Sequence, residues 1–452
     1  MSNLPTNWAS CCLGDLVESI SNGMPGTQNK EGVGIPVSRI ETIANQQIDF
    51  SRIGYISQYD ESKLDKFKLN VGDILFSHIN SPVHIGKTAI FDSTKLLYHG
   101  INLLRIKVNS HICDYRYFNY ACRLLRANGQ FSLNAQHAVN QSSLNQTKIS
   151  GFEIQLAPIR EQRRIADKID TTLARVDALN GRLARINPLL KRFRQSVLAA
   201  ATSGKLTEDW RGSSEAENEW RSVSLKEVAS DFSYGSSAKS SKSGRVPVLR
   251  MGNIQDGALD WTDLVYTSDP EEIKKYKLVK GDVLFNRTNS PELVGKTTIF
   301  QGEQEAIYAG YLIRVKCTEK LIPEYLNYCL GSPMGREYCW QVKSDGVSQS
   351  NINAKKLAAF EFLLPPIEEQ TEIVRRVASL FAFADRLEAR LQSAQTAAEC
   401  LTPALLAKAF RGELVPQDPN DEPATELLRR LREARAAQAP TKPKRGRKAA
   451  AA

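Results

Sequence analysis

Two stretches of the chain come close to the residue spacing of known chemistry. Ser81-x-x-x-x-Gly86-Lys87-Thr88 and Ser290-x-x-x-x-Gly295-Lys296-Thr297 each stand one residue away from a phosphate-cradling loop. That loop needs glycine at its first position for backbone approach to phosphate, and it must open a helix. Serine occupies the position in both stretches, and the residues that follow (Ala89-Ile90-Phe91; Thr298-Ile299-Phe300) read as strand. Asn80-Ser81-Pro82 and Asn289-Ser290-Pro291 approach the Asn-Pro-Pro-aromatic cluster that amino-methyl transfer places around a flipped base. Val83 and Glu292 stand where the aromatic belongs, and no glycine-rich cofactor loop precedes. Gly32-Val33-Gly34 lacks the third glycine and a following helix. No Ser-His-Asp set or carboxylate pair stands out. The chain reads as a non-enzyme.

Metal chemistry is equally unsupported. The eight cysteines are scattered, with Cys11-Cys12 adjacent and no Cys-x-x-Cys, and all five histidines lie in the first third. Nothing has zinc-ligand spacing, so no metal site is expected and reduced, mostly buried thiols are. The net charge is +10, of which Lys442, Lys444, Arg445, Arg447 and Lys448 supply half from the last twelve residues. Such a basic tail suits either solvation or sequence-independent phosphate contact. No secretory signal pattern opens the chain and no apolar run approaches spanning length, which gives a cytoplasmic expectation.

The elements that carry these stretches occur twice. Residues 71–91 match 280–300 at 12 of 21 positions without a gap, including Gly72-Asp73 with Gly281-Asp282 and Asn80-Ser81-Pro82 with Asn289-Ser290-Pro291. Leu156 to Gln162 pairs with Leu364 to Gln370, and Gly204-Lys205-Leu206 with Gly412-Glu413-Leu414, all in nearly one register. Each copy opens with about 150 residues of short β-like runs, such as Gly72–Phe76 and Ile101–Val108, broken by turn formers. The repeated Gly-Asp-x-Leu-Phe runs read as shared core. Gln141 and Gln349, with Asn145 and Asn353, suit caps or backbone contacts before each helix.

Each copy closes with a long helix. Apolar residues step by three and four through Val176, Leu179, Leu183, Ile186, Leu190, Phe193 and Val197, and again from Ile373 through Val377, Leu380, Ala384, Leu387 and Leu391 to Leu405. A 3.5-residue period keeps one seam on one face. Pro158 and Pro365-Pro366 set the approach to each helix, and Gly204 and Gly412 suit its C-terminal cap. About 40 residues at ~1.5 Å each make a helix of roughly 60 Å. Pro188 and Pro403 fall at non-matching positions and should bend the two helices differently. Two such stripes in one chain can cover each other. An antiparallel pair with the globular parts at opposite ends is the simplest arrangement; a parallel pair also fits the pattern.

Several segments resemble the specificity subunits of type I restriction–modification systems. Pro5-Thr6-Asn7-Trp8 with Leu13-Gly14-Asp15-Leu16 is similar to the family's opening. Lys191 to Leu198, through Gly204-Lys205-Leu206-Thr207-Glu208-Asp209-Trp210-Arg211, resembles its first spacer helix. Leu406 to Leu414 resembles the second, and Pro365-Pro366-Ile367-x-Glu369-Gln370 its usual lead-in. The likeness spans roughly residues 5–415 and is greatest to full-length chains with one helix per half.

The resemblance implies an α+β fold: two mixed target-recognition domains alternating with two long helices that pair as an antiparallel coiled coil, in an internal two-fold repeat. The boundaries expected are 1–155 and 214–362 for the recognition domains, 156–213 and 363–416 for the spacer helices, and 417–452 for a basic tail. It implies a chain that reads a split, asymmetric DNA sequence. The helices dock two adenine-N6 methyltransferase subunits, which bring S-adenosylmethionine, and restriction subunits add ATP- and Mg-dependent translocation and cleavage. No cofactor is expected in this chain. Groove reading calls for Arg on guanine and Asn on adenine. Arg39, His78 and Asn80 are the candidates in the first domain, and Arg250, Asn253, Arg287 and Asn289 in the second. Lys87 and Lys296 recur in both copies and suit phosphate contact. Arg192, Arg194, Arg375 and Arg376 are candidates for partner docking on the helices. The competing class is a coiled-coil structural adaptor without sequence reading.

Overall fold

The computed structural model describes residues 4–138, 141–212, 219–255 and 257–438. The chain forms two compact units, one of residues 1–182 with 395–452 and the other of residues 183–394. The basic cluster from Lys442 to Lys448 lies outside the described residues.

Unit 1 is built on a four-stranded antiparallel sheet in the order Val17–Asn22, Leu104–Val108, Ile74–Phe76, Thr88–Ile90. Strand alternation sends Ile74 and Phe76 into one core with Leu104, Ile106 and the helix residues Tyr117 and Phe118. It sends Leu75 into a second core with Ile43, Leu69, Ala89 and Phe91. Both faces are covered, which is why Ile74-Leu75-Phe76 is an unbroken apolar run instead of an alternating one. Gly72, at φ +94°, makes the turn into this strand, and Asp73 fixes it by accepting from Asn70 N at 2.9 Å.

Unit 2 repeats the plan. Its sheet runs Ala229–Tyr234, Leu312–Cys317, Val283–Asn286, Thr297–Ile299 in the same order. Val283 and Phe285 share a core with Tyr325 and Leu326, and Leu284 shares another with Leu249, Ile254 and Phe300. Asp282 accepts from Val279 N at 2.9 Å beneath Gly281, at φ +92°. The repeated Gly-Asp-x-Leu-Phe run is thus buried framework in both units, as its composition suggested.

The repeated Pro-x-x-Glu-Gln segments are the joints between sheet and helix. In unit 1, Gln162 accepts from Asp114 N at 2.9 Å and donates to Ile112 O and Ala157 O at 3.0 and 2.8 Å. In unit 2, Gln370 accepts from Ile322 N at 2.8 Å and donates to Lys320 O and Pro365 O, both at 2.9 Å. Each glutamine thereby satisfies three backbone groups that burial would otherwise orphan. Tyr117 and Tyr325 add the same bond in each unit, from their hydroxyls to Gln155 O and Leu363 O at 2.7 Å.

Both long helices form where expected, but the first is interrupted and Leu179 of its expected seam is exposed. The first is broken into Ile159–Ala184 and Ile186–Thr202. The break at Arg185 comes three residues before Pro188, whose ring excludes the preceding turn. The second runs unbroken from Ile367 to Phe410 with Pro403 inside it. Val377, Ala384, Leu391 and Ala398, spaced by seven, are buried, whereas Leu401 is exposed. Within unit 1, Ile165, Ala166 and Ile169 pack with Leu406, Ala409 and Phe410. Within unit 2, Ile373 and Val377 pack with Val197, Leu198 and Ala201. Gly204 and Gly412 end the helices at φ +81° and +75°, the left-handed cap their type favours.

The stretch from residue 417, expected as the start of a tail, is instead folded as far as residue 438. A helix, Ala424–Gln438, follows it, and Ala424 and Leu428 join the unit 1 core. Asp421 pairs with Arg164 at 2.7 Å, and Ala424 N donates to Asn7 O at 2.9 Å. Among the described residues, no helix is long and apolar enough to cross a membrane.

Candidate nucleic-acid interface

The loop that resembles a phosphate cradle is a closed structural hairpin. In unit 1, Gly86 N donates to Ser77 O and Ser77 N to Lys87 O, both at 2.8 Å, which ties off residues 77–87. Inside it, Asn80 Oδ1 accepts from Ser81 N at 2.8 Å, and Ile85 N donates to Ser81 O at 3.0 Å. Gly86 has φ +75°, and a Cβ there would lie 2.2 Å from the Phe131 ring, so glycine is required for packing and not for phosphate. Unit 2 repeats the closure through Gly295 N to Asn286 O and Asn286 N to Lys296 O at 2.8 Å. An arginine from the neighbouring helix braces each loop: Arg126 donates to Val83 O at 2.9 Å and Arg336 to Val294 O at 2.8 Å.

From this loop the chain enters a small polar ribbon. In unit 1, Ile79–Asn80 pairs with Gln141–Ser143, which pairs with Gln136–Ala138. In unit 2, Thr288–Asn289 pairs with Ser350–Asn351, which pairs with Ser344–Asp345. Gln136, His137 and Ala138 are exposed, as are residues 344–349, with Val347 fully so at the unit 2 tip. The outer two strands of each form an exposed ribbon, a shape that a DNA major groove admits. Asn145 and Asn353, which follow, cap short helices by accepting from Lys148 N and Lys356 N at 2.8 Å. The side chain of Gln141 lies outside the described residues, and Gln349 is exposed on the ribbon.

The sequence candidates divide between this ribbon and a second place. His78 and Asn80 lie at the ribbon's root in unit 1, and Arg287 and Asn289 at the same place in unit 2. The His78 ring is largely enclosed with Nδ1 unpaired, and burial holds its pKa below the usual histidine range. Asn80 donates to Ser77 Oγ at 3.1 Å. Arg287 stands with its guanidinium 4.7 Å from the Tyr234 ring, donating to Gly310 O and Asn351 Oδ1, both at 3.3 Å. Asn289 Oδ1 accepts from Ser290 N at 2.8 Å.

The other candidates gather at the turns of residues 39–46 in unit 1 and 250–263 in unit 2. Arg39 pairs with Glu41 at 3.3 Å, and Lys87 donates to Ala44 O at 2.7 Å. Burial first and Arg126 second hold the Lys87 pKa below its ordinary value. In unit 2, Arg250 pairs with Asp263 at 3.1 Å and Lys296 donates to Gln255 Oε1 at 3.0 Å. Asn253 is buried, its amide donating to Asp260 O and Asp263 O at 2.9 and 3.1 Å. The two lysines therefore share a tethering bond to these turns, and Asn253 is held within the fold.

Of the helix arginines, Arg192 is exposed and Arg375 pairs only with its neighbour Glu372 at 2.7 Å. Arg194 binds Asp385 and Glu388 at 2.7 and 2.8 Å, and Arg376 binds Asp209 at 2.7 Å, both within unit 2. Arg375 and Arg376 together hold the Glu372 carboxyl down to about 2. Among the described residues, no group of three or more His, Cys, Asp or Glu has metal-binding geometry.

Sequence reading missed Tyr234 and Asn351, which hold Arg287. Both sit opposite unlike residues of the other repeat, and that contrast between matched positions was the available signal.

Comparison with known proteins places this geometry. A family model described as the type I restriction modification DNA specificity domain matches twice, at residues 5–188 and 217–394. The chain is 36% identical over 312 residues to the EcoKI specificity subunit of Escherichia coli K12, covering 66% of this chain and 67% of that one. It is 28% identical over 393 residues to the putative MjaX specificity subunit of Methanocaldococcus jannaschii, covering 84% and 88%. In fold it resembles the HsdS subunit from Thermoanaerobacter tengcongensis, with a TM-score of 0.58 at 19% identity over 91% of this chain and 98% of that one. A chain solved in work on assembly and conformational transition of the type I R-M system gives 0.64 at 19% identity, over 91% and 99%.

Proposed function

The chain belongs to the type I restriction–modification DNA specificity family, whose members serve as non-catalytic subunits, and from that premise we propose that it reads a split, asymmetric duplex through two unlike domains. One observation carries the reading. The two units share sheet order, joint and loop closure, yet present different side chains at the ribbon, as a device for two unlike half-sites requires. Residues 1–155 and 214–362 are then the readers. The helices run as an antiparallel coiled coil that sets the unread spacer.

Partners follow from the same reading. Two adenine-N6 methyltransferase subunits dock on the helices and bring S-adenosylmethionine; restriction subunits add ATP- and Mg-dependent translocation, in the cytoplasm. Arg192 and Arg375, exposed on the helices, are better placed for docking than Arg194 and Arg376, which are engaged inside unit 2.

Co-expression with a methyltransferase subunit of the same system, followed by sequencing for N6-methyladenine, tests the proposal. Methylation at one split asymmetric motif, lost on deletion of this chain, is expected. Methylation unaffected by the deletion would favour the adaptor reading, in which the coiled coil organises proteins without reading sequence.

A further inference from the structure

Backbone register matches positions in the two units more finely than sequence does. Asn22 faces Leu104 as Tyr234 faces Ile313. Ser143 faces Ile79 as Asn351 faces Thr288. Leu144 N donates to His78 O, and Ile352 N to Arg287 O, each at 2.9 Å. On this common frame unit 1 carries Asn22, His78 and Ser143, where unit 2 carries Tyr234, Arg287 and Asn351. The frame is shared and the chemistry is not.

The unit 2 set is organised around one guanidinium. Tyr234 lies under Arg287, and its hydroxyl accepts from Ala354 N at 2.9 Å, which fixes the ring. Asn351 accepts from Arg287 and is itself anchored by donating to Thr288 Oγ1 at 2.7 Å. The two bonds that Arg287 makes are long, at 3.3 Å, so they orient the fork without saturating its five N–H groups. Beside it, Asn286 is fully buried with neither amide atom partnered. The matching Ser77 of unit 1 instead receives the Asn80 amide. Unit 2 therefore holds unmet polar capacity beside an arginine fork oriented by two long bonds, at the root of the exposed ribbon.

Resting on the recognition reading above, we propose that Arg287 reads a guanine in the half-site engaged by unit 2, with Tyr234 and Asn351 as its positioning residues. The planar fork matches guanine O6 and N7, which no other base edge presents together. His78, a small enclosed ring at the matched position, has no such fork, so unit 1 does not share this preference.

The test is selection by the full chain from randomised duplexes at fixed salt, with bound DNA sequenced. The unaltered chain should enrich a split motif. Arg287→Lys keeps the charge but loses the fork, and should erase preference at one guanine in one half while the other half persists. Binding to the original motif should fall roughly 5- to 100-fold, the range for one bidentate base contact. Tyr234→Leu should relax the same guanine to a smaller degree, a readout that general destabilisation would not confine to one position. A split motif whose guanines all survive Arg287→Lys would overturn this assignment and leave the recognition reading standing. No enriched motif from the unaltered chain would remove both.

Discussion

Glu161 and Glu369 occupy the same joint in the two units and keep different company. Each accepts an indole N–H, from Trp8 at 3.1 Å and from Trp220 at 2.9 Å. The second oxygen of Glu369 meets Arg211 at 2.5 Å and Thr207 at 2.6 Å, residues that follow directly from the incoming helix. Among the described residues, the second oxygen of Glu161 accepts only from the neutral amide of Gln417, at 2.8 Å. Burial consequently dominates at Glu161 and pushes its pKa up. Unit 2 is closed by a local ionic clamp, whereas unit 1 is closed by the far end of the chain. Duplication supplied the frame, and each joint was completed with whatever segment arrived there.

That contrast is open to attack at several strengths. The largest effect is expected from truncation after Val415, which removes Gln417, Asp421 and the buried Ala424, Leu427 and Leu428. Two buried leucines alone make unit 1 lose roughly 5 kcal/mol, at up to ~3 kcal/mol each. Hydrogen exchange should rise across residues 5–182 and stay unchanged across 220–394; an equal rise in both would break the comparison. Next comes the carboxylate pair. Glu369→Gln removes the carboxylate that pairs with Arg211, leaving it Gly204 O and the Trp220 ring, and should cost about 2 kcal/mol, the range for a hydrogen bond to a charged group. Glu161→Gln disturbs only neutral partners and should cost about 1 kcal/mol. Urea unfolding of the two variants checks this, and equal losses would show that the clamp's charge contributes nothing.

The third effect is one of pH. All five histidines lie in unit 1, and burial pulls His99 down to about 4, with Nδ1 unpaired and Nε2 against Leu103 O at 2.9 Å. Its folded pKa lies below the unfolded value near 6.5, so the unfolded chain takes up the proton first. The stability it contributes is present above pH 6.5 and is lost as pH falls towards 4. Melting curves across that window should steepen for unit 1, and His99→Gln should flatten them. An unchanged slope in the variant would assign the loss elsewhere.

Much of this architecture was legible because it rests on periodicity and on residues with few alternatives. The seam from Ile373 to Leu405, the glycine caps at 204 and 412, and the Pro-led joints all follow from local rules. The strands that follow the duplicated Gly-Lys-Thr loops, Thr88–Ile90 and Thr297–Ile299, were legible from their composition. What stayed hidden depends on distant partners. Nothing near Asp421 announces Arg164, and Asn253 reads as an exposed amide until Asp260 and Asp263 close over it. Arg287 could be named from its type and loop setting. Tyr234 and Asn351 were harder to see, because only their contrast with Asn22 and Ser143 at the matched positions of unit 1 points to them.

The central claim is that two equivalent frames each read their own half-site. The most direct measurement replaces residues 5–155 with a second copy of 217–362 and maps N6-methyladenine when the chimera is expressed with the methyltransferase subunit. A symmetric split motif whose halves both equal the half-site affected by Arg287→Lys is expected. Methylation that remained at the original asymmetric motif would contradict the claim.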